Sequence, residues 1–256
     1  MPMNVRDVLN RRSDLSTFVV HLTKDGEEET AKERLESIID DQVIYARSPM
    51  GWAEDEDDPA DPAQQSQRVV SFTETPLEHI YSHVVDIAHR RVKFKPYGIA
   101  LTKLAARKIG INPIWYVDRT PGQSAQWELA EAIQALKRAA VRSGDFHNQP
   151  AAKLLPFIEV MGTWPTRGRQ KEFWWEREWR KRGNVVLPNQ FRGCLILCPE
   201  DELDEFEALL KPGLGEAERR RRRRQCIDPR WGLEQIVAHL AGIPSEQVTP
   251  FGPETA

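Results

Sequence analysis

Apolar residues recur along this chain with two alternating periods, and the periods mark out interleaved strands and helices. Thr17-Phe18-Val19-Val20-His21-Leu22 is a run of β-formers and predicts a strand. From about Thr30, Ala31, Leu35, Ile38 and Ile39 repeat at helical spacing. Strands are then expected at Val43 to Ala46 and at Val69 to Thr73. Pro76 opens a helix that carries Leu77, Ile80, Val84 and Ile87. Pro96 to Leu101 reads as a strand, Thr102 as the cap of a short helix over 103–109, and Gly110 as its left-handed stop.

Further along, a strand over Pro113 to Val117 precedes an amphipathic helix over 124–142, with Leu129, Ile133, Leu136 and Ala140 along one stripe. Lys153 to Met161 is apolar without a clear period. Arg182-Gly183-Asn184 supplies turn residues before Val185-Val186-Leu187, and Arg192 to Cys198 is strand-like. Pro199 starts a helix through Leu210, and a last helix lies near Trp231 to Leu240. A short helix is also expected over 4–12. No unit repeats, so the pattern predicts an α+β fold: one domain with a mixed, mostly antiparallel sheet flanked by helices. The expected division is a main domain over 1–212, with a flexible acidic loop near 48–67, and an arginine-rich segment plus helix over 213–256.

With 256 residues, 40% hydrophobic and 29% charged, the chain has the make-up of an ordinary globular protein. No apolar run is long enough to span a bilayer, and Met1 to Asp7 lacks the apolar centre of a signal peptide, so no membrane contact and a cytoplasmic location are the expectation. Cys194, Cys198 and Cys226 have no zinc-type spacing, and two of them flank Leu195-Ile196-Leu197; all three read as reduced core residues. No metal is expected. The net charge of −3 conceals segregation: Glu54 to Asp58 is an acidic run, and Arg219, Arg220, Arg221, Arg222, Arg223 and Arg224 form an unbroken basic one. Such a block could attract nucleic-acid phosphates or an acidic partner, or it could be a solvated surface.

The densest chemistry lies in Glu172 to Arg180, where three of the eight tryptophans share nine residues with three acids and two arginines. Read as a strand, Glu176 and Glu178 share a face with Trp174 and Arg180, while Phe173, Trp175, Arg177 and Trp179 share the other. Like charges that close either titrate unusually or are held by a cation. A catalytic pair and a structural ion network are both open readings. His79 and His83, four apart on a helix, could meet a metal but read better as surface histidines, and Lys93, Lys95 and Lys103 around Tyr97-Gly98 could meet a phosphate or simply line a solvated loop.

An early strand ending in His-x-Thr, a middle strand with spaced hydroxyls and a late Glu-x-Glu resemble the ADP-ribosyltransferase pattern. The resemblance implies that fold, NAD as substrate, and ADP-ribose transfer to a protein or nucleic acid. Carried over, His21 or Thr23 would orient ribose, Ser71 and Thr73 would support the nicotinamide half, and Tyr97 could stack on it. Glu178 would be the catalytic acid, and Glu176 would position the acceptor, since a carboxylate can stabilise the oxocarbenium-like centre left by departing nicotinamide. The middle motif is Ser-Phe-Thr rather than Ser-Thr-Ser, and the first-strand residue is His where Arg is more usual.

A second resemblance covers more of the chain. Val70 to Ile80, Tyr97 to Lys103, Asn112 to Val117 and Glu176 to Arg180 together are similar to the AbiGi family of abortive-infection, phage-resistance proteins often labelled antitoxins. That likeness implies a role in antiviral defence, with a cognate toxin or a host or phage protein as partner. Two activities follow as alternatives: an ADP-ribosyltransferase effector, or a non-catalytic antitoxin or regulator in which Glu176, Glu178, Arg177 and Arg180 form a structural network.

Overall fold

The computed structural model describes residues 12–51, 66–86, 92–122, 126–164, 169–172, 174–210, 224–244 and 247–248. Of the helix expected over 4–12, all but Arg12 lies outside them. The first strand, β1, spans Phe18–Leu22 and leads to helix α1, Ala31–Asp41. Thr30 caps α1 through a reciprocal box: its hydroxyl accepts from the Glu33 N–H, and the Glu33 carboxylate accepts from the Thr30 N–H. The helix buries Ala31, Leu35, Ile38 and Ile39, the stripe its spacing predicts.

Strands β2 (Val43–Ile44), β3 (Ser48–Pro49) and β4 (Arg68–Thr73) follow. After Pro76 the chain takes a single 3-10 turn, Leu77–His79, and a four-residue helix α2, Tyr81–Val84, in place of one longer helix. Strand β5 is Gly98–Thr102, and Thr102 caps helix α3, Lys103–Lys108, by accepting from the Ala105 N–H at 3.3 Å. The predicted strand at 113–117 is two pieces, β6 (Asn112–Pro113) and β7 (Trp115–Asp118). Helix α4 is Trp127–Arg142 and α5 is Pro150–Leu154; the ambiguous stretch after it resolves into a 3-10 turn and strand β8, Ile158–Trp164.

Strands β9 (Arg169–Lys171), β10 (Glu178–Arg182) and β11 (Val185–Val186) come next, with Gly183 at φ +74° in the turn between the last two. Strand β12 (Cys194–Leu197), helix α6 (Leu203–Leu209), strand β13 (Cys226–Ile227) and helix α7 (Leu233–Ala241) complete the order. The architecture is α+β, with mixed, mostly antiparallel β structure flanked by helices.

The sequence reading expects a single domain; by residue contacts the chain divides into two compact units. One unit gathers Met1–Val43, Glu74–Ala105 and Leu187–Ala256. In it β5 lies between β1 and β12, antiparallel to both, and β13 runs parallel to β12. The register pairs Leu22 with Gly98, and a Cβ on Gly98 would lie 2.3 Å from the His21 carbonyl oxygen, so glycine is required where these strands close up. Val20, Leu22, Ile80, Ala100, Leu197, Ile227, Trp231 and Ile236 form its apolar core. All three cysteines are buried and free; burial pushes the Cys194 thiol up to about 12, so it stays protonated and inert.

The other unit gathers Ile44–Thr73 and Ala106–Val186. Here β4 pairs with β3 and β10, β10 also pairs with β6, and all three pairings are antiparallel. Strands β7 and β8 are parallel, with β9 antiparallel to β8. Helix α4 packs Ala130 and Ile133 against Val117, Leu155 and Ile158. The predicted stripe on α4 is rotated: Ile133 and Ala140 are buried, but Leu129 and Leu136 face solvent.

Candidate functional site

The tryptophan-rich segment is not one strand. Trp174–Glu176 is a 3-10 turn, Arg177 takes the left-handed conformation at φ +45°, and β10 begins only at Glu178. A positive φ reverses the chain, so the strand alternation that would put Glu176 and Glu178 on one face does not hold. Three hydrogen bonds fix the bend. The Thr73 hydroxyl donates to the Glu176 carbonyl at 2.7 Å, the Glu178 N–H donates to the Tyr116 hydroxyl oxygen at 2.9 Å, and the Ile114 N–H donates to the Glu178 carbonyl at 3.1 Å. Burial beside these groups pushes the Tyr116 phenol up to about 12.

Glu178 and Arg180 do share a face of β10, opposite Thr73 and Ser71 of β4. The Arg180 guanidinium is fully buried and forks onto Glu178, Nε to Oε1 and Nη2 to Oε2, both at 2.7 Å. The same Nη2 donates to Glu159 at 2.6 Å, and Nη1 donates to the Pro156 carbonyl at 2.9 Å. Lys171 closes the far side of Glu159 with an ion pair. Gly51 covers the guanidinium: at φ +72°, a Cβ there would sit 2.8 Å from Arg180 Nη1 and 2.6 Å from the Ile158 carbonyl oxygen. Two acids and two bases thus form a neutral, closed cluster.

Its electrostatics follow from that closure. Burial alone would raise the Glu159 carboxyl, but Arg180 and Lys171 outweigh it and hold the group below the usual range. Burial opposes charge on Arg180 too, and Glu178 and Glu159 reverse this, raising its already high value. Both Glu178 oxygens are engaged by one guanidinium, a bidentate geometry that fixes the orientation of the carboxylate.

The other predicted residues lie as follows. Ser71 places its hydroxyl 3.1 Å from the Met50 sulfur in the same unit as Glu178. His21, Thr23 and Tyr97 belong to the other unit. His21 is half-buried on β1. The buried Thr23 hydroxyl donates to the Ala31 carbonyl at 2.8 Å and ties β1 to the start of α1. Tyr97 donates to Glu202 at 2.9 Å. His79 is exposed, whereas His83 is buried with its Nε2 2.9 Å from the Thr75 hydroxyl, which corrects the surface reading for that residue. No three metal-binding side chains cluster among the described residues. Lys93, Lys95 and Lys103 each pair with an acid, Asp86, Asp25 and Glu74. Arg219 to Arg223 lie outside the described residues, and Arg224 donates to the Leu240 carbonyl at 2.7 Å.

Sequence reasoning missed Glu159. A single acid inside the apolar run Leu154 to Met161 is a signal that could have found it, because a buried charge needs a partner.

The four short motifs of β4, β5, β6–β7 and β10 all fall within residues 55–193, the span matched by the family described as "Putative abortive phage resistance protein AbiGi, antitoxin". That span is more than half of the chain. The chain belongs to the AbiGi family. Membership ties it to abortive phage resistance, and the family's description is that of an antitoxin. No curated protein and no solved structure matches the chain. No helix among the described residues of this AbiGi protein is long and apolar enough to cross a membrane.

Proposed function

We propose that this AbiGi chain is a non-catalytic antitoxin that acts by binding a cognate toxin. The observation that carries the reading is the closed grip of Arg180 on Glu178. A carboxylate that must stabilise an oxocarbenium centre has to present an oxygen to it, and both Glu178 oxygens are committed at 2.7 Å to a buried guanidinium. The unit that holds this cluster also exposes large aromatics. Trp174 is 58% and Trp115 55% accessible, and tryptophan is the residue type most often found to anchor protein interfaces. The cluster's role in this reading is to hold the turn that presents Trp174.

The test uses Glu178→Gln. Incubated with labelled NAD, wild-type protein is expected to label neither itself nor added protein or nucleic acid. The variant loses charge pairing with Arg180 but keeps an acceptor, so folding stability is expected to fall by about 1–3 kcal/mol. Co-expressed at reduced temperature with the toxin of its own locus, it is expected to neutralise as well as wild type. NAD-dependent labelling that Glu178→Gln abolishes would overturn the proposal in favour of an ADP-ribosyltransferase.

A further inference from the structure

Helix α4 has one buried and one exposed apolar face. Ala130, Ile133 and Ala140 pack inward with Lys137, while Leu129, Ala132, Leu136 and Ala139 face solvent, the two leucines 51% and 57% accessible. Their spacing of three and four residues is that of a seam between paired helices. One border of the seam is the buried face; the other carries Glu128 and Glu131 in its N-terminal half and Arg138 and Arg142 in its C-terminal half. Glu131 reaches Arg119 at 3.5 Å, and Arg142 donates to the Arg138 carbonyl, so both stay anchored on this side of the helix.

We infer that α4 pairs antiparallel with α4 of a second copy of this chain, across a two-fold axis near Gln134. Size and charge both select that occupant. With the helices reversed, Leu129 meets Ala139 of the second copy and Ala132 meets Leu136, so every layer sets a large side chain against a small one. The same reversal sets this charged border against itself and brings Glu128 and Glu131 toward Arg142 and Arg138 of the other copy. The reversed arrangement also sets the helix dipoles head to tail.

Sedimentation velocity of the full chain over a range of concentrations tests this. Wild type is expected to show a monomer–dimer equilibrium. Leu136→Asp, at an exposed position, is expected to weaken it at least about tenfold. Glu128→Arg with Glu131→Arg should weaken it at low salt, and adding Arg138→Glu with Arg142→Glu should restore it; this series leaves the apolar seam intact and reports even where Leu136→Asp fails to fold. A monomer at every concentration, an unchanged constant in Leu136→Asp, or failure of the double reversal to restore pairing would overturn the inference. A monomeric wild type whose toxin neutralisation depends on Leu136 would assign the seam to the toxin instead.

Discussion

Arg180→Met is expected to lower folding stability by about 3–5 kcal/mol, read as a fall in the thermal midpoint and in the denaturant midpoint. The guanidinium has no exposure and donates to Glu178, Glu159 and the Pro156 carbonyl, so its removal strands two carboxylates in a low-dielectric site with Lys171 as the remaining cation. Arg180→Lys should recover little, because one ammonium cannot bridge three acceptors laid out for a planar fork. A triple change, Arg180→Met with Glu178→Leu and Glu159→Leu, should recover most of the loss, since a buried ion cluster can be replaced by apolar groups at little net cost. If the single change costs under about 1 kcal/mol, the cluster does not hold this unit together.

The same cluster sets a pH dependence with a definite sign. Glu159 has its folded value depressed below the unfolded value of about 4.3. A depressed carboxyl contributes stability that is fully present above the unfolded value and is lost as pH falls through the folded one. Wild-type stability should therefore decline as pH drops below about 4.3, and Glu159→Gln should flatten that part of the curve.

Local patterns carried much of this fold into view. The spacing of Ala31, Leu35, Ile38 and Ile39 and the turn at Gly183 are decided within a few residues of chain, so helix α1 and the β10–β11 turn are legible without the fold. The candidate site was half legible. Glu178 and Arg180 at alternate positions on a strand announce an ion pair, and they form one. What local pattern could not reveal was the turn at Arg177, held by Thr73 and Tyr116 from 104 and 61 positions away in sequence, or the arrival of Glu159 from β8. The face of α4 was misjudged for a related reason. Period alone offers two apolar stripes on that helix, and only contact with Val117, Leu155 and Ile158 selects the one that is buried.

Phe206→Ala is expected to cost about 3–5 kcal/mol, the range for removing a buried phenylalanine that leaves a cavity. Phe206 has no exposure and lies on α6, with the Tyr97 ring 6.0 Å away centroid to centroid and Lys32 Nζ 5.9 Å from its ring. Tyr97→Phe makes the comparison sharp. It keeps the ring against Phe206 and removes only the donor to Glu202, so it should cost about 1 kcal/mol. The ratio between the two variants measures how far Tyr97 serves as a packing residue with a tethered hydroxyl. Packing dominates on these magnitudes, and toxin neutralisation by Tyr97→Phe should match wild type wherever both are folded. A Tyr97→Phe protein that folds as stably as wild type and yet fails to neutralise would give the hydroxyl a binding role, and the packing account of Tyr97 would be wrong.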